Sequence, residues 1–177
     1  LIQHHHEQAL ALAEQSAALQ EQIGPGRGLA ISLATLGQIL VRLGQLERAE
    51  QVLHRALQVR SQIQFHEITG AVFDTLAEIA LMRGGYESAG DYLRKAGEAY
   101  GGYGAQTSLW YEWSIRVLEA KLAARRGSTE EAIRLANEIA TSTTAPPVEA
   151  IQGDLIACEA LLGAGRAAEA EARLGRV

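Results

Sequence analysis

The stretches Leu43-Gly44-Gln45-Leu46-Glu47-Arg48-Ala49 and Arg83-Gly84-Gly85-Tyr86-Glu87-Ser88-Ala89 decide the fold, because each pairs a glycine with an alanine five residues on. The same pair returns as Gly127 with Ala132 and as Gly165 with Ala170, and Leu53 with Ala56 is matched by Leu93 with Ala96. Successive glycines are 40, 43 and 38 residues apart, a period that marks a repeat architecture. One period before Ala49 stands Ala9, so residues 1–23 read as the second half of a further copy.

Each copy reads as two helices. Leu33, Leu36, Leu40 and Leu43 fall at helical spacing before Gly44, and Leu46, Ala49, Val52, Leu53 and Ala56 resume the pattern after it. The glycine suits the left-handed conformation that closes a helix, and the alanine lets two antiparallel helices approach closely. No segment sustains a two-residue alternation, so no strand is expected. Between copies stand Gly24-Pro25-Gly26-Arg27-Gly28, Gly101-Gly102-Tyr103-Gly104 and a threonine-rich run ending in Ala145-Pro146-Pro147. Gln64-Phe65-His66 carries no breaker, which predicts a tight turn there with Phe65 packed between copies.

Composition excludes several function classes. The 177 residues are 47% hydrophobic and 21% charged, with a net charge of -5. That balance suits a folded chain with no membrane span and argues against direct nucleic-acid binding. Cys158, the single cysteine, is expected to be a buried, inert thiol and fits a reducing, cytoplasmic setting. Leu1 opens the chain inside an amphipathic pattern, so a piece of a longer protein is expected. Only Lys95 and Lys121 accompany many arginines, alanines and glycines, a bias common in high-GC bacteria.

Catalytic signatures fail. His6-Glu7 and His66-Glu67 begin like a zinc-protease helix, but Leu10 and Gly70 stand where the second histidine is needed. His4, His5 and His6 point about 100° apart around a helix and build no chelating face. Gly24, Gly26 and Gly28 follow a helix rather than the strand that a phosphate cradle requires. No enzyme activity, metal or cofactor is expected.

The pattern resembles the tetratricopeptide repeat. Leu33, Leu36-Gly37, Leu40, Gly44, Ala49, Leu53 and Ala56 match its positions in order, as do Phe73, Leu76-Ala77, Ala80, Gly84, Ala89, Leu93 and Ala96, with Ala77 in place of a glycine. Arg116 and Glu119 in the third copy, and Asp154 and Cys158 in the fourth, depart from it, and a slipped register is expected in the third copy's first helix. The units exceed the usual length by about six residues, like those of polarity adaptors, peptide-pheromone receptors and large bacterial transcription activators. The resemblance implies an all-α, right-handed superhelix over residues 1–177: a half repeat at 1–23, units at 28–64, 66–101 and 105–141, and a truncated unit at 147–177.

It also implies a groove lined by the second, fifth, ninth and twelfth positions of each unit. Those are Ile31, Ala34, Gln38 and Val41, then Ala71, Asp74, Glu78 and Leu81, then Val117, Lys121 and Ala124, then Gln152, Leu155, Glu159 and Leu162. The candidate partner-binding set is Gln38, Val41, Arg42, Asp74, Glu78, Leu81, Met82, Trp113, Lys121, Arg125, Gln152 and Glu159. Ala34, Gln38, Asp74 and Glu78 replace the lysine and asparagine with which the chaperone-binding branch clamps a terminal carboxylate. Trp110, Tyr111 and Trp113 are read either as packing against the second copy or as an anchor exposed in the groove. Asp74 and Glu78 are expected to project together, either as an ordinary surface pair satisfied by Arg42 or another neighbouring arginine or as a patch open to a basic or amide-rich segment. A protein or peptide partner within a larger bacterial regulatory protein is the expected function, a spacer between other modules is the alternative, and the uncapped ends are expected to favour self-association.

Overall fold

The computed structural model describes residues 2–63, 68–101 and 105–175, with side chains described for 7–63, 68–101 and 112–175. Among them are nine helices and no strand. Helix α1 (Ile2–Ile23) precedes four hairpins: α2 (Arg27–Arg42) with α3 (Leu46–Ile63), α4 (Thr69–Met82) with α5 (Tyr86–Gly101), α6 (Ala105–Arg125) with α7 (Thr129–Ala140), and α8 (Pro147–Gly163) with α9 (Ala167–Leu174). The last helix has only 8 residues. No helix among the described residues is long and apolar enough to cross a membrane. The expected turn at Gln64-Phe65-His66, and the side chains of His4, His5, His6, Trp110 and Tyr111, lie outside the described residues.

One backbone device closes every hairpin. Gly44, Gly84, Gly127 and Gly165 have φ of 71, 76, 77 and 76°. At Gly84 the glycine N–H donates to the Leu81 carbonyl at 3.1 Å and the Gly85 N–H donates to the Ala80 carbonyl at 2.8 Å, which satisfies the last carbonyls of α4. A side chain would clash with the backbone at that φ, so glycine is the residue of choice. The same paired bonds recur after α2, α6 and α8. The second helices then begin with Glu47, Glu87, Glu130 and Glu169, whose charges suit the positive end of the helix dipole.

The alanine after each turn is fully or almost fully enclosed: Ala49, Ala89 and Ala132 are 0% exposed and Ala170 1%. A helix crosses closely at each. Gly37 serves the same end on α2, since a Cβ there would come within 2.5 Å of the Leu53 side chain. Gly153 seats α8 on α7, where a Cβ would meet the Ala136 carbonyl oxygen at 2.7 Å.

The core is a chain of linked clusters, as stacking of near-identical units requires. Leu33, Leu36, Leu40, Leu53, Val72, Leu76 and Ile79 form the bulk of the first, spanning α1 to α4. Ala77, Ala89, Leu93, Leu118 and Leu122 join α4, α5 and α6. Trp113, Val117, Ala120, Ala136, Ile139, Ile156 and Ala157 join α6, α7 and α8. Cys158 is buried with Leu161 and Ala170.

The register of α6 does not slip. Ala120 and Ala123 stand as far before Gly127 as Gly37 and Leu40 stand before Gly44, and all four are buried. The polar departures are accommodated outside this seam. Arg116 pairs with Glu112 at 3.1 Å and Glu138 at 3.2 Å, and Glu119 is exposed. Turn glycine and crossing alanine fix the phase, and the large apolar positions follow it.

Successive first helices pack on one another, α2 with α4, α4 with α6 and α6 with α8, while among the described residues the second helices are not packed backbone to backbone and meet at most through long side chains, as where Arg173 of α9 donates to Asn137 Oδ1 of α7 at 2.6 Å. The stack therefore closes up along its first helices and opens along its second helices. This is an α-solenoid whose concave side belongs to α2, α4, α6 and α8.

Candidate functional site

A cavity of about 650 Å³ runs along that concave side. It takes Gln38, Ile39 and Arg42 from α2, Ala71, Asp74, Thr75 and Glu78 from α4, Tyr100 from the end of α5, Ser114, Val117, Leu118 and Lys121 from α6, and Glu149 and Gln152 from α8. A second hollow of about 370 Å³ shares Glu78, Leu118 and Lys121 with it and continues past Leu81, Met82, Arg125 and Glu159. The structure thus brings ten of the twelve candidate residues to one continuous trough.

Two candidates lie elsewhere. Val41 is 4% exposed and belongs to the apolar cluster of the first hairpin. It stands beside Leu40 on the face of α2 turned to the core. Trp113 is 9% exposed and packs with Ile139 and Ile156, under the Arg116 guanidinium 5.7 Å from its ring. Its ring therefore serves the core, and it packs forward onto α7 and α8 rather than back onto the second hairpin. Ala34 is likewise buried.

Asp74 is the one charged residue buried among the described residues, at 7% exposure. The expected exposed pair with Arg42 is not formed: no cationic group among the described residues lies within ion-pair distance of Asp74 or Glu78. Instead the Tyr100 hydroxyl donates to Asp74 Oδ2 at 3.0 Å. Burial pushes the Asp74 carboxyl up to about 7, and the nearby Glu78 charge pushes in the same direction, while Tyr100 and the Ser114 hydroxyl pull it down. Oδ1 is buried and accepts no hydrogen bond of ordinary geometry.

The local sequence explains this contact. Gly70 leaves the space that Tyr100 fills, since a Cβ there would come within 2.2 Å of the ring. In the first unit the corresponding place is held by Ala30 and in the third by Trp113. Among the described residues, it is the second unit that admits an aromatic ring from its own second helix into the groove floor. Thr75, beside Asp74, is buried but satisfied, its hydroxyl donating to the Ala71 carbonyl at 2.8 Å.

The far end of the trough is electrostatically different. Arg125 and Glu159, candidates from α6 and α8, pair with each other at 3.0 Å. Among the described residues no group of three or more histidine, cysteine, aspartate or glutamate side chains is arranged to hold a metal ion. Sequence reasoning missed Ile39, Thr75, Tyr100, Ser114, Leu118 and Glu149 as lining residues. Tyr100 lies at the end of a second helix, outside the positions from which the groove was counted.

Among curated proteins, none matches the chain. A family model of the tetratricopeptide repeat matches residues 1–62 and, overlapping them, 29–101. The match covers more than half of the chain, and the hairpin turns and crossing alanines continue beyond it through α9. The chain belongs to the tetratricopeptide repeat family, a non-catalytic scaffold whose helical hairpins mediate protein–protein interactions.

Proposed function

We propose that the concave trough binds an extended segment of a partner protein, as the recognition part of a larger bacterial regulatory protein in the cytoplasm. The observation that carries this reading is the continuity of the cavity across all four first helices, with apolar Ile39, Val117 and Leu118 between polar Gln38, Glu78 and Gln152. A mixed lining of that kind suits a peptide, whose backbone amides need partners and whose side chains need apolar contacts. The arginine-rich, lysine-poor composition supports a bacterial source, and the net charge of -5 speaks against nucleic acid as the ligand.

Photo-crosslinkers placed singly at Gln38, Gln152 and Gln51 test the reading in the full-length protein. Gln51 is exposed on α3, a second helix away from the trough. Adducts with a partner from Gln38 and Gln152 and none from Gln51 are expected. Adducts equally frequent from all three positions, or from none, would move the assignment to a spacer between other modules.

A second contact surface is supported by exposed apolar residues at both ends. Leu12, Leu19 and Ile23 are exposed on α1, and Val148, Ile151, Leu155 and Leu162 on α8. These faces favour end-to-end association. Sedimentation should show a concentration-dependent increase in mass, and a monomer at all concentrations would rule that association out.

A further inference from the structure

We infer that Asp74 is the seat of a primary ammonium group, the side chain of a lysine in the groove-bound segment, which donates to the unpartnered Oδ1. The inference rests on the groove reading above and specifies what one part of the groove selects.

Three observations carry it. Asp74 is more than nine-tenths buried, lines the cavity, and leaves Oδ1 without a donor. A buried acceptor without a partner is costly, so the site gains more from an incoming donor than an exposed carboxylate would. Among the described residues the fold itself supplies no counter-charge. Arg42 from α2 and Lys121 from α6 line the same cavity yet form no ion pair with Asp74, while Glu78 on α4 and Glu149 on α8 add negative charge. The other groups that act on the carboxyl, Tyr100 from α5 and Ser114 from α6, are neutral hydroxyls, and of these Tyr100 forms the hydrogen bond, to Oδ2.

Geometry chooses between cations. A guanidinium binds a carboxylate best as a fork engaging both oxygens. Tyr100 already donates to Oδ2 and crowds a fork on that side, which leaves Oδ1 as the oxygen without a donor, and one such oxygen suits the compact point charge of an ammonium. The four-carbon stem of lysine is slender enough to reach a floor group from a backbone lying in the trough.

Ammonium binding requires the ionised carboxylate, and burial holds that carboxyl half-protonated near neutral pH. Seating the lysine therefore releases a proton. Between pH 6 and pH 8 the ionised fraction rises about tenfold, and affinity should rise with it.

The test uses the full chain, immobilised, and pools of capped nine-residue peptides with a fixed central lysine, arginine, glutamine or glutamate and all other positions randomised. The lysine pool should be retained best, about tenfold more strongly at pH 8 than at pH 6. Asp74→Asn, which keeps the side-chain shape, should abolish both the lysine preference and the pH dependence. Tyr100→Phe should free Oδ2 and raise arginine retention toward that of lysine. Equal retention of the lysine, arginine and glutamine pools, or a lysine preference that survives Asp74→Asn, overturns the inference and leaves the groove reading standing. Stronger retention of an uncapped, lysine-free pool would place the ammonium on a chain terminus and overturn the assignment to a side chain. Gln38→Trp fills the same cavity, and retention of every pool undiminished by it, or no retention of any pool by the unmodified chain, overturns the groove reading together with the inference.

Discussion

Helices α4 and α8 hold the same place in their hairpins but depart from the usual division of polar and apolar residues in opposite directions. Helix α4 buries Thr69, Asp74 and Thr75, and these are the buried polar residues among the described positions. Helix α8 buries none and instead leaves Val148, Ile151, Leu155 and Leu162 exposed. Both end in the same paired hydrogen bonds around a left-handed glycine, and both are followed by an enclosed alanine. The hairpin frame is therefore independent of what its first helix presents. Inward polarity on α4 shapes the trough, whereas outward apolarity on α8 marks a face without a neighbouring hairpin in the described structure.

The largest effect expected from this contrast is a pH dependence centred on Asp74 of α4 and absent from α8. Asp74 has a folded pKa of about 7, against about 3.9 in an unfolded chain. Its contribution to stability is fully present below pH 4 and is lost as pH rises through 7, a change of about 4 kcal/mol at most. Denaturation curves from pH 4 to pH 8 should show that loss in the unmodified chain and not in Asp74→Asn. A parallel fall in both proteins would assign it to other groups.

Next in size is Gly153→Ala on α8. The added Cβ would press on backbone atoms of α7, the Ala136 oxygen at 2.7 Å and the Ala140 nitrogen at 3.0 Å, which cannot rotate away. A loss of about 3 kcal/mol is expected. Gly70→Ala on α4 presses first on the Tyr100 side chain rather than on backbone, so it should cost less while shifting the Asp74 titration. Equal losses would show that the α7–α8 seam is not tighter than the groove floor. Ala89→Leu, in the helix that follows α4, should cost about 2 kcal/mol through overpacking. A wild-type melting temperature there would contradict the proposed repeat phase.

The smallest effect lies at the neutralised end of the trough. Arg125 and Glu159 are both exposed, with side chains 56% and 51% accessible. Glu159→Gln should change stability by less than about 1 kcal/mol. A larger loss would mean that this pair, and not Asp74, is the electrostatically demanding part of the groove.

Much of the fold was legible because glycine and alanine act locally. Gly84 closes its own helix and Ala89 sits in the next one, so their spacing along the chain is also their structural relation. The same logic survives in the third unit, where Arg116 and Glu119 obscured the apolar pattern but Gly127 still set the phase. The groove was less legible. Counting positions from the start of each unit placed Val41 in it, and the aromatic cluster suggested Trp113 as an anchor, although both side chains turn to the core. The Asp74–Tyr100 contact joins residues on two helices and depends on the missing side chain of Gly70, and no periodic signal encodes such a three-residue fit.

Among the described residues, one carboxyl, that of Asp74, is buried on the groove floor without a counter-charge. Carboxyl-carbon NMR of Asp74 across a pH titration tests it most directly. A midpoint close to 7 is expected, moving lower in Glu78→Gln as a neighbouring negative charge is removed. A midpoint near 4, the ordinary range for an exposed aspartate, would contradict it.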